Sequence, residues 1–480
     1  MAKFGKLVAN EYIKLKKIST LIIMILAVLL TVAYLGIAKL VDYTMNSEFF
    51  YMGSVEESLD WEKNSLQTEL EALKAEENPV DETYFAIEQV EQRLRIVSFE
   101  LEHCVLEYDH WTFLAAENFL STLYMTEIEN NADYSKEIEQ FTRAIDNRDW
   151  KSYLTMKIDF TRSAGKESGL SEQEIKNMTT VDQYCLDHDI MPVETDDAYM
   201  LVKNWDTARQ RLETLEASEK NGQLVSSDTM KTAKDAFALY DYRIQHEAYY
   251  DVSENTGWMN NGKFDFWNVL NGSYMISGII GVLIIVIAGG IVASEFSQGT
   301  IKFLLINPVK RWKILMAKYF TAISFGYLIL LISFLVAVVM SAMLMGFDNI
   351  DAYYHYISGD EVKRIPGILY TLRTYFFGSI DIVVNATFAF AISSMIRSTA
   401  LAVGAGIAAT FIGNTLVSIL GMFQMDWGRF LIFSNTDMQA IVEGNSMFVG
   451  HTPGFAAAIV LIHLFVFLLI AWDGFTRREI

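Results

Sequence analysis

"FWNVLNGSYMISGIIGVLIIVIAGGIVAS", residues 266–294, has no charged side chain in 29 positions. It runs directly into "SEFSQGTIKFLLINPVKRWKILMAKY", residues 294–319, which carries one acid, Glu295, and five bases, Lys302, Lys310, Arg311, Lys313 and Lys318. A second uncharged run of 29 residues, 319–347, follows. A helix needs about 20 apolar residues to cross the hydrocarbon core of a bilayer. Each run is therefore long enough to span, and the basic segment between them is expected as a short loop at one membrane face.

Four further runs read the same way. Ile18 to Ala38 and Ser398 to Met425 carry no charge, Thr374 to Ile396 carries only Asp381, and Gly444 to Trp472 has only His451 and His463 as titratable groups. The first run is too long for a signal-peptide core and is followed by no A-x-A site, so it reads as a span. The expected fold is an all-α membrane protein with six transmembrane helices.

The charge is unevenly spread. Residues 42–266 hold 20 Lys and Arg against 47 Asp and Glu, a formal −27, while the rest of the 480-residue chain is +6. This asymmetry predicts a large hydrophilic domain inserted between helices 1 and 2. The plan is an N-terminal interfacial helix over 1–17, the first span over 18–41, the inserted domain over 42–266, and spans two to six over 267–480 with the loop at 294–318.

With the N-terminus inside, the inside segments carry 13 Lys and Arg and the two short outside loops carry four. The bias predicts a multi-pass cell-membrane protein with both termini cytoplasmic and the inserted domain extracellular.

The inserted domain reads as helical. Ser54 with Glu57, and Ser171 with Glu174, have capping-box spacing. Phe85, Val90, Leu94, Val97 and Leu101 recur at helical intervals, and residues 196–218 and 226–250 read as two further helices. Cys104 and Cys185 fall in this domain, where a disulfide can form; two unpaired, buried cysteines fit the sequence as well. At the N-terminus, Phe4, Leu7, Val8, Tyr12 and Leu15 share one helical face and Lys3, Lys6, Asn10, Lys14 and Lys17 another. That pattern suits a helix lying in the interface with its lysines toward anionic headgroups.

Little in the chain points to catalysis. No GxxxxGK[ST], GxSxG or HExxH pattern occurs, and no nucleophile is paired with a base, so the chain is not expected to be an enzyme or to carry a cofactor. His103, Glu107 and His110 have the spacing of one helix face beside Cys104, residue types that zinc accepts. A single helix seldom completes such a site, a solvated face is the expectation, and no metal is assigned. Asp381, with Asn385 one turn later, forms an intramembrane polar site. A carboxylate at that depth faces a cavity or a partner; a substrate path and pairing with Arg373 are both open. In the basic loop, Asn307 and Pro308 have the chemistry of an N-cap and first helical position, which predicts a short helix across the membrane face running into the third span.

This loop resembles the segment between the second and third spans of type 2 ABC-transporter permeases, the membrane subunits of bacterial exporters. Glu295, Gly299 and Thr300 match an E-x-x-x-G-T pattern; Pro308, Arg311 and Lys318 match the arginine-containing helix after it. The amphipathic N-terminus, the basic C-terminus "FTRREI" and "RFLIFSN" at 429–435 are similar too. The resemblance spans the six helices, about 255 residues; the inserted domain exceeds the family minimum.

The resemblance implies that Glu295, Phe296, Gly299, Thr300, Pro308 and Arg311 couple the chain to a separate cytoplasmic ATPase subunit. That subunit would bind ATP and Mg. A second permease copy, identical or not, would complete the unit, and membrane lipids surround it; nucleic acid is not expected. The implied work is export of an antimicrobial peptide or another amphiphilic compound. Two rivals stand beside it: ATPase-driven release or sensing of an extracellular peptide without transport, and a membrane-anchored receptor with no ATPase.

Overall fold

The computed structural model describes residues 2–46, 54–76, 80–108, 110–130, 133–253, 264–300, 309–359, 361–396 and 398–477. Six helices among them are long and apolar enough to cross a membrane: Ile18–Tyr43, Phe266–Ser297, Arg311–Met345, Gly367–Met395, Thr399–Met422 and Pro453–Thr476. The chain is a helical, multi-pass membrane protein.

The N-terminal helix α1 (Ala2–Leu15) turns at Lys16 and Lys17 into α2 (Ile18–Asn46), which holds the first span. Among the described residues, nine α-helices follow before the second span: α3 (Val55–Lys74), α4 (Asp81–Glu102), α5 (Trp111–Ala115), α6 (Ser121–Asn130), α7 (Ser135–Asp146), α8 (Trp150–Glu167), α9 (Glu172–Asp187), α10 (Asp197–Lys220) and α11 (Ser227–Gln245). Ser54 and Ser171 make the predicted capping boxes with Glu57 and Glu174.

These helices bury a core of their own. Trp111 stacks on Tyr153, and Phe119 meets Phe160 edge-on. A π-helical turn, Ala116–Leu120, joins α5 to α6 and carries Glu117 to Arg93, which also holds Glu62 of α3.

Two expectations fail in this region, and one open choice is decided. Phe85 is exposed rather than in the core, while Val90 and Val97 are buried. His103, Glu107 and His110 do not share a helix face. α4 ends at Glu102 and Cys104 takes a positive φ of 51°, so His103 turns to Asp146 while His110 caps α5. The disulfide is not formed: Cys104 is exposed at that turn and Cys185 is buried in the core, both free.

The remaining elements are α12 (Phe266–Gly272), α13 (Ile276–Ser297), α14 (Arg311–Met345), the strands β1 (Tyr353–Ser358) and β2 (Glu361–Pro366), α15 (Gly367–Met395), α16 (Thr399–Met422), α17 (Met438–Val442) and α18 (Pro453–Thr476). α13 and α15 form the centre of the bundle and are more than half buried, whereas the other spans present large apolar side chains such as Leu29, Leu331, Phe411 and Phe465 outward. That is the surface a helix offers to lipid. Close approach at the centre needs glycine: a Cβ on Gly281 would lie 2.8 Å from an Asp381 carboxylate oxygen, and one on Gly406 would lie 2.7 Å from Ile285.

The hairpin β1–β2 corrects the all-α expectation. Its antiparallel register pairs Tyr353 with Pro366 and Ser358 with Glu361 across a turn at Gly359. It locks the end of the inserted domain to the bundle. Val252 N–H donates to the Tyr353 carbonyl, and both the His355 N–H and Nδ1 meet Asp251 Oδ2 at 2.8 Å.

Of the basic loop only the two ends, up to Thr300 and from Val309, lie among the described residues. α14 begins at Arg311 and runs unbroken through the third span, because Ile314 and Leu315 already pack into the bundle core. No separate helix precedes it from Val309 on, and Asn307 and Pro308 lie outside the described residues.

Candidate functional site

Glu295 occupies the last turn of α13, the negative end of the helix dipole. A carboxylate there needs cations, and two arrive from other helices. Lys14 Nζ of α1 reaches Glu295 Oε1 at 2.7 Å and Lys318 Nζ of α14 reaches it at 3.0 Å. Glu11, one turn before Lys14, closes the ring: its Oε1 is 3.0 Å from Lys14 and its Oε2 2.8 Å from Lys318. Two acids and two bases thus tie α1, the second span and the third span into one knot.

Burial makes the knot consequential. Lys318 is 1 % exposed, Glu11 6 % and Glu295 8 %. Removing one partner of a buried ion pair leaves an uncompensated charge and costs about 3–5 kcal/mol. Burial works against the charge on the half-exposed Lys14, but hydrogen bonds to Glu295 and Glu11 outweigh it and its pKa is raised. Tyr12 adds a neutral clasp, donating its hydroxyl to Ser324 Oγ at 2.6 Å.

The E-x-x-x-G-T spacing now has a physical reason. α13 ends at Ser297, and Gly299 takes φ +71°, the left-handed conformation that glycine adopts without penalty. The chain folds back, and the Thr300 hydroxyl donates to Glu295 Oε2. The glycine makes the reversal and the threonine supplies the hydrogen bond that the lysines leave open.

The other residues expected at the ATPase contact separate. Phe296 packs half-buried against the bundle core. Gly299 and Arg311 are exposed, and an Arg311 Nη1 donates to the Thr476 carbonyl at the end of α18 at 3.3 Å. Pro308 lies outside the described residues. Glu295 and Thr300 face inward, so among the described residues of the loop the exposed ones are Ser297, Gln298, Gly299 and Lys310 to Lys313, with Trp312 46 % exposed beside Lys313.

Glu11 and its link to Lys318 were missed from the sequence. The available signal was that Glu11 is the one acid in the first 41 residues. The lysines of α1 were expected to face headgroups; Lys14 instead turns to Glu295, because the helix packs on α14 rather than lying free.

The intramembrane pair forms a second site near the other end of the bundle. Asn385 Nδ2 donates to Asp381 Oδ2 at 3.1 Å, and Thr410 donates to Asn385 Oδ1 at 2.9 Å. Asp381 lines a cavity of about 490 Å³ with Tyr274, Asn414, Phe433 and Asp437. Arg373 does not pair with it. Its guanidinium lies over Tyr354 and Tyr370 and 3.6 Å from Glu443, because these groups sit together at the base of the hairpin. Burial raises the Glu443 pKa, opposed by the Tyr370 hydrogen bond and Arg373.

Comparison with known proteins adds the family. Residues 237–480 match the family described as "Protein of unknown function (DUF2705)". An uncharacterized protein of Bacillus subtilis (strain 168), YhcI, is 33 % identical over 251 residues, 52 % of this chain and 76 % of that protein. An uncharacterized membrane protein of the same organism, YdbK, is 32 % identical over 203 residues, 42 % of this chain and 78 % of that protein. No solved structure matches the chain. With half of its length in the family match and two relatives covered over most of their own length, the chain belongs to the DUF2705 family.

Proposed function

We propose that this chain is the membrane subunit of an ATP-driven ABC exporter, working with a separate ATPase and a second permease copy. Both termini face the cytoplasm, the α3–α11 domain faces outward, and the cargo is an antimicrobial peptide or another amphiphilic compound. One observation carries the reading. The E-x-x-x-G-T stretch follows the second of six spans and is braced from within by Glu295, Lys318 and Thr300, which leaves a firm, basic, partly aromatic end exposed around Trp312. A short helix end with basic and apolar character suits a groove on a partner. The brace also gives motion at this end a route into two spans and α1 at once.

The test is affinity purification of the tagged chain from membranes, with its ATPase identified by mass spectrometry. Trp312→Ala combined with Lys313→Glu is expected to lower ATPase recovery about tenfold, the loss of one good contact, while insertion is retained. Recovery of no ATPase with the unmodified chain, or equal recovery with the variant, defeats the reading.

The hairpin favours a second reading, in which ATP hydrolysis moves the outer domain to release or sense a peptide without transport. The Asp251–His355 contact would carry that motion. Substrate accumulation in sealed vesicles separates the two, since only export fills the vesicle.

A further inference from the structure

A cavity of about 590 Å³ opens between α1, α2 and α13, beside the charge knot. One side is apolar, built by Ile23, Ile287 and Ile291; the other presents Lys17, Ser19 and Thr20 at the start of the first span, next to the paired Glu11, Lys14, Glu295 and Lys318. Thr20 is only 7 % exposed and lines the cavity, yet its hydroxyl has no hydrogen-bond partner among the described residues. The side chain is held in place by its burial while its hydroxyl stays free to bond whatever enters the cavity, so it points to an occupant with a polar group.

The charge fixes what kind. Glu11 and Glu295 are already balanced by Lys14 and Lys318. Lys17 is exposed and enters no ion pair among the described residues, so it supplies the uncompensated charge of the mouth. The helix start adds to it. Thr20 and Leu21 N–H groups bond the Lys17 carbonyl at 3.1 and 3.2 Å, and those of Ile18 and Ser19 precede these first bonds, at the positive end of the α2 dipole. An anion therefore fits the polar side. The apolar side, reaching two turns into the bundle, fits a hydrocarbon chain and is wasted on a hydrated ion.

From these features we infer that the cavity is a binding site for one anionic phospholipid. Its phosphate is held by Lys17, Ser19 and Thr20, and one acyl chain lies along Ile23, Ile287 and Ile291. The lipid would seat α1 against the first span directly beside the charge knot, whose four side chains also line the cavity. The site depends only on the chain spanning a membrane, and not on the ATPase or on what is moved.

Native mass spectrometry of the full chain in detergent, titrated with phosphatidylglycerol or phosphatidylcholine, tests it. One phosphatidylglycerol is expected to be retained per chain at concentrations where phosphatidylcholine is not. Lys17→Gln and Thr20→Val should each weaken retention about tenfold, the worth of one charge-assisted hydrogen bond. Lys16→Gln, whose side chain is exposed outside the cavity, should not. Equal retention of the two lipids overturns the site. So does equal loss in Lys16→Gln and Lys17→Gln, which would mean diffuse attraction to a basic surface. Displacement of the lipid by excess inorganic phosphate also overturns it, since the ligand would then be the anion alone.

Discussion

The inserted domain and the bundle both contain many ion pairs, but they use them differently. In the domain, Arg143 and Glu139 meet one helical turn apart with side chains 70 % and 63 % exposed. In the bundle, Lys318 meets Glu11 and Glu295 from separate helices at 1 % exposure. The first arrangement is local and solvated, and exposed pairs of that kind contribute about 0–1 kcal/mol. The second is long-range and dry, and its members have no water to fall back on. Charge in the domain keeps a surface wet; charge in the bundle decides which helices sit together.

The largest expected effect follows from the dry cluster. Lys318→Met leaves Glu11 and Glu295 facing each other with only Lys14 between them, and should destabilise the bundle by about 3–5 kcal/mol. Thermal unfolding of the purified chain in detergent reads it. Adding Glu295→Gln should restore part of the loss, because the remaining acid and base then balance. A variant as stable as the parent would mean that the cluster does not hold the helices.

A smaller effect sharpens the contrast from within the domain. Glu100 is its one deeply buried carboxyl of this kind, with neither oxygen meeting a hydrogen-bond partner among the described residues. Burial first, and the neighbouring Glu117 second, push its pKa up from 4.5 to about 8, against the pull of Arg93. In the unfolded chain it ionises near the lower value. The folded state therefore holds the extra proton between the two, so the stability Glu100 lends is full below pH 4.5 and is lost as pH rises toward about 8. Circular dichroism of a soluble 54–253 fragment, melted across that window, should show the decline, and Glu100→Gln should flatten it. A flat parent profile would place Glu100 in a wetter setting than its burial indicates.

The smallest effect is expected at the surface. Glu139→Ala should change the melting free energy of the same fragment by less than about 0.5 kcal/mol. A loss comparable with that of Lys318→Met would erase the distinction between the two regions.

What could be read from the sequence follows the same division. The six spans were legible because an apolar stretch of about 20 residues with hardly a charge suits a bilayer core and little else, and both capping boxes were legible because their chemistry is local. The partners of Glu295 were not, since Lys14 lies 281 positions away and no local pattern ties them. Nor was the change at Cys104, where a residue in the left-handed region broke an otherwise continuous helical spacing. The hairpin escaped notice because its aromatic alternation, "YYHYIS", is short and sits in what looked like an ordinary loop between spans. Helix periodicity left pairing of Arg373 with Asp381 open beside a substrate path, when Glu443, from a later loop, was the group Arg373 met.

The Asp251–His355 contact has a consequence for how the chain is made. The two residues are 104 positions apart, and the second and third spans lie between them. The α3–α11 domain is synthesised whole and can close its own core early, yet its base has nothing to seat on until both spans are inserted and the hairpin has formed. Domains generally fold as units in order of synthesis, and contacts of long sequence separation form late. The membrane bundle is thus assembled beneath a finished domain, and the seating of His355 on Asp251 marks the moment when the two become one molecule.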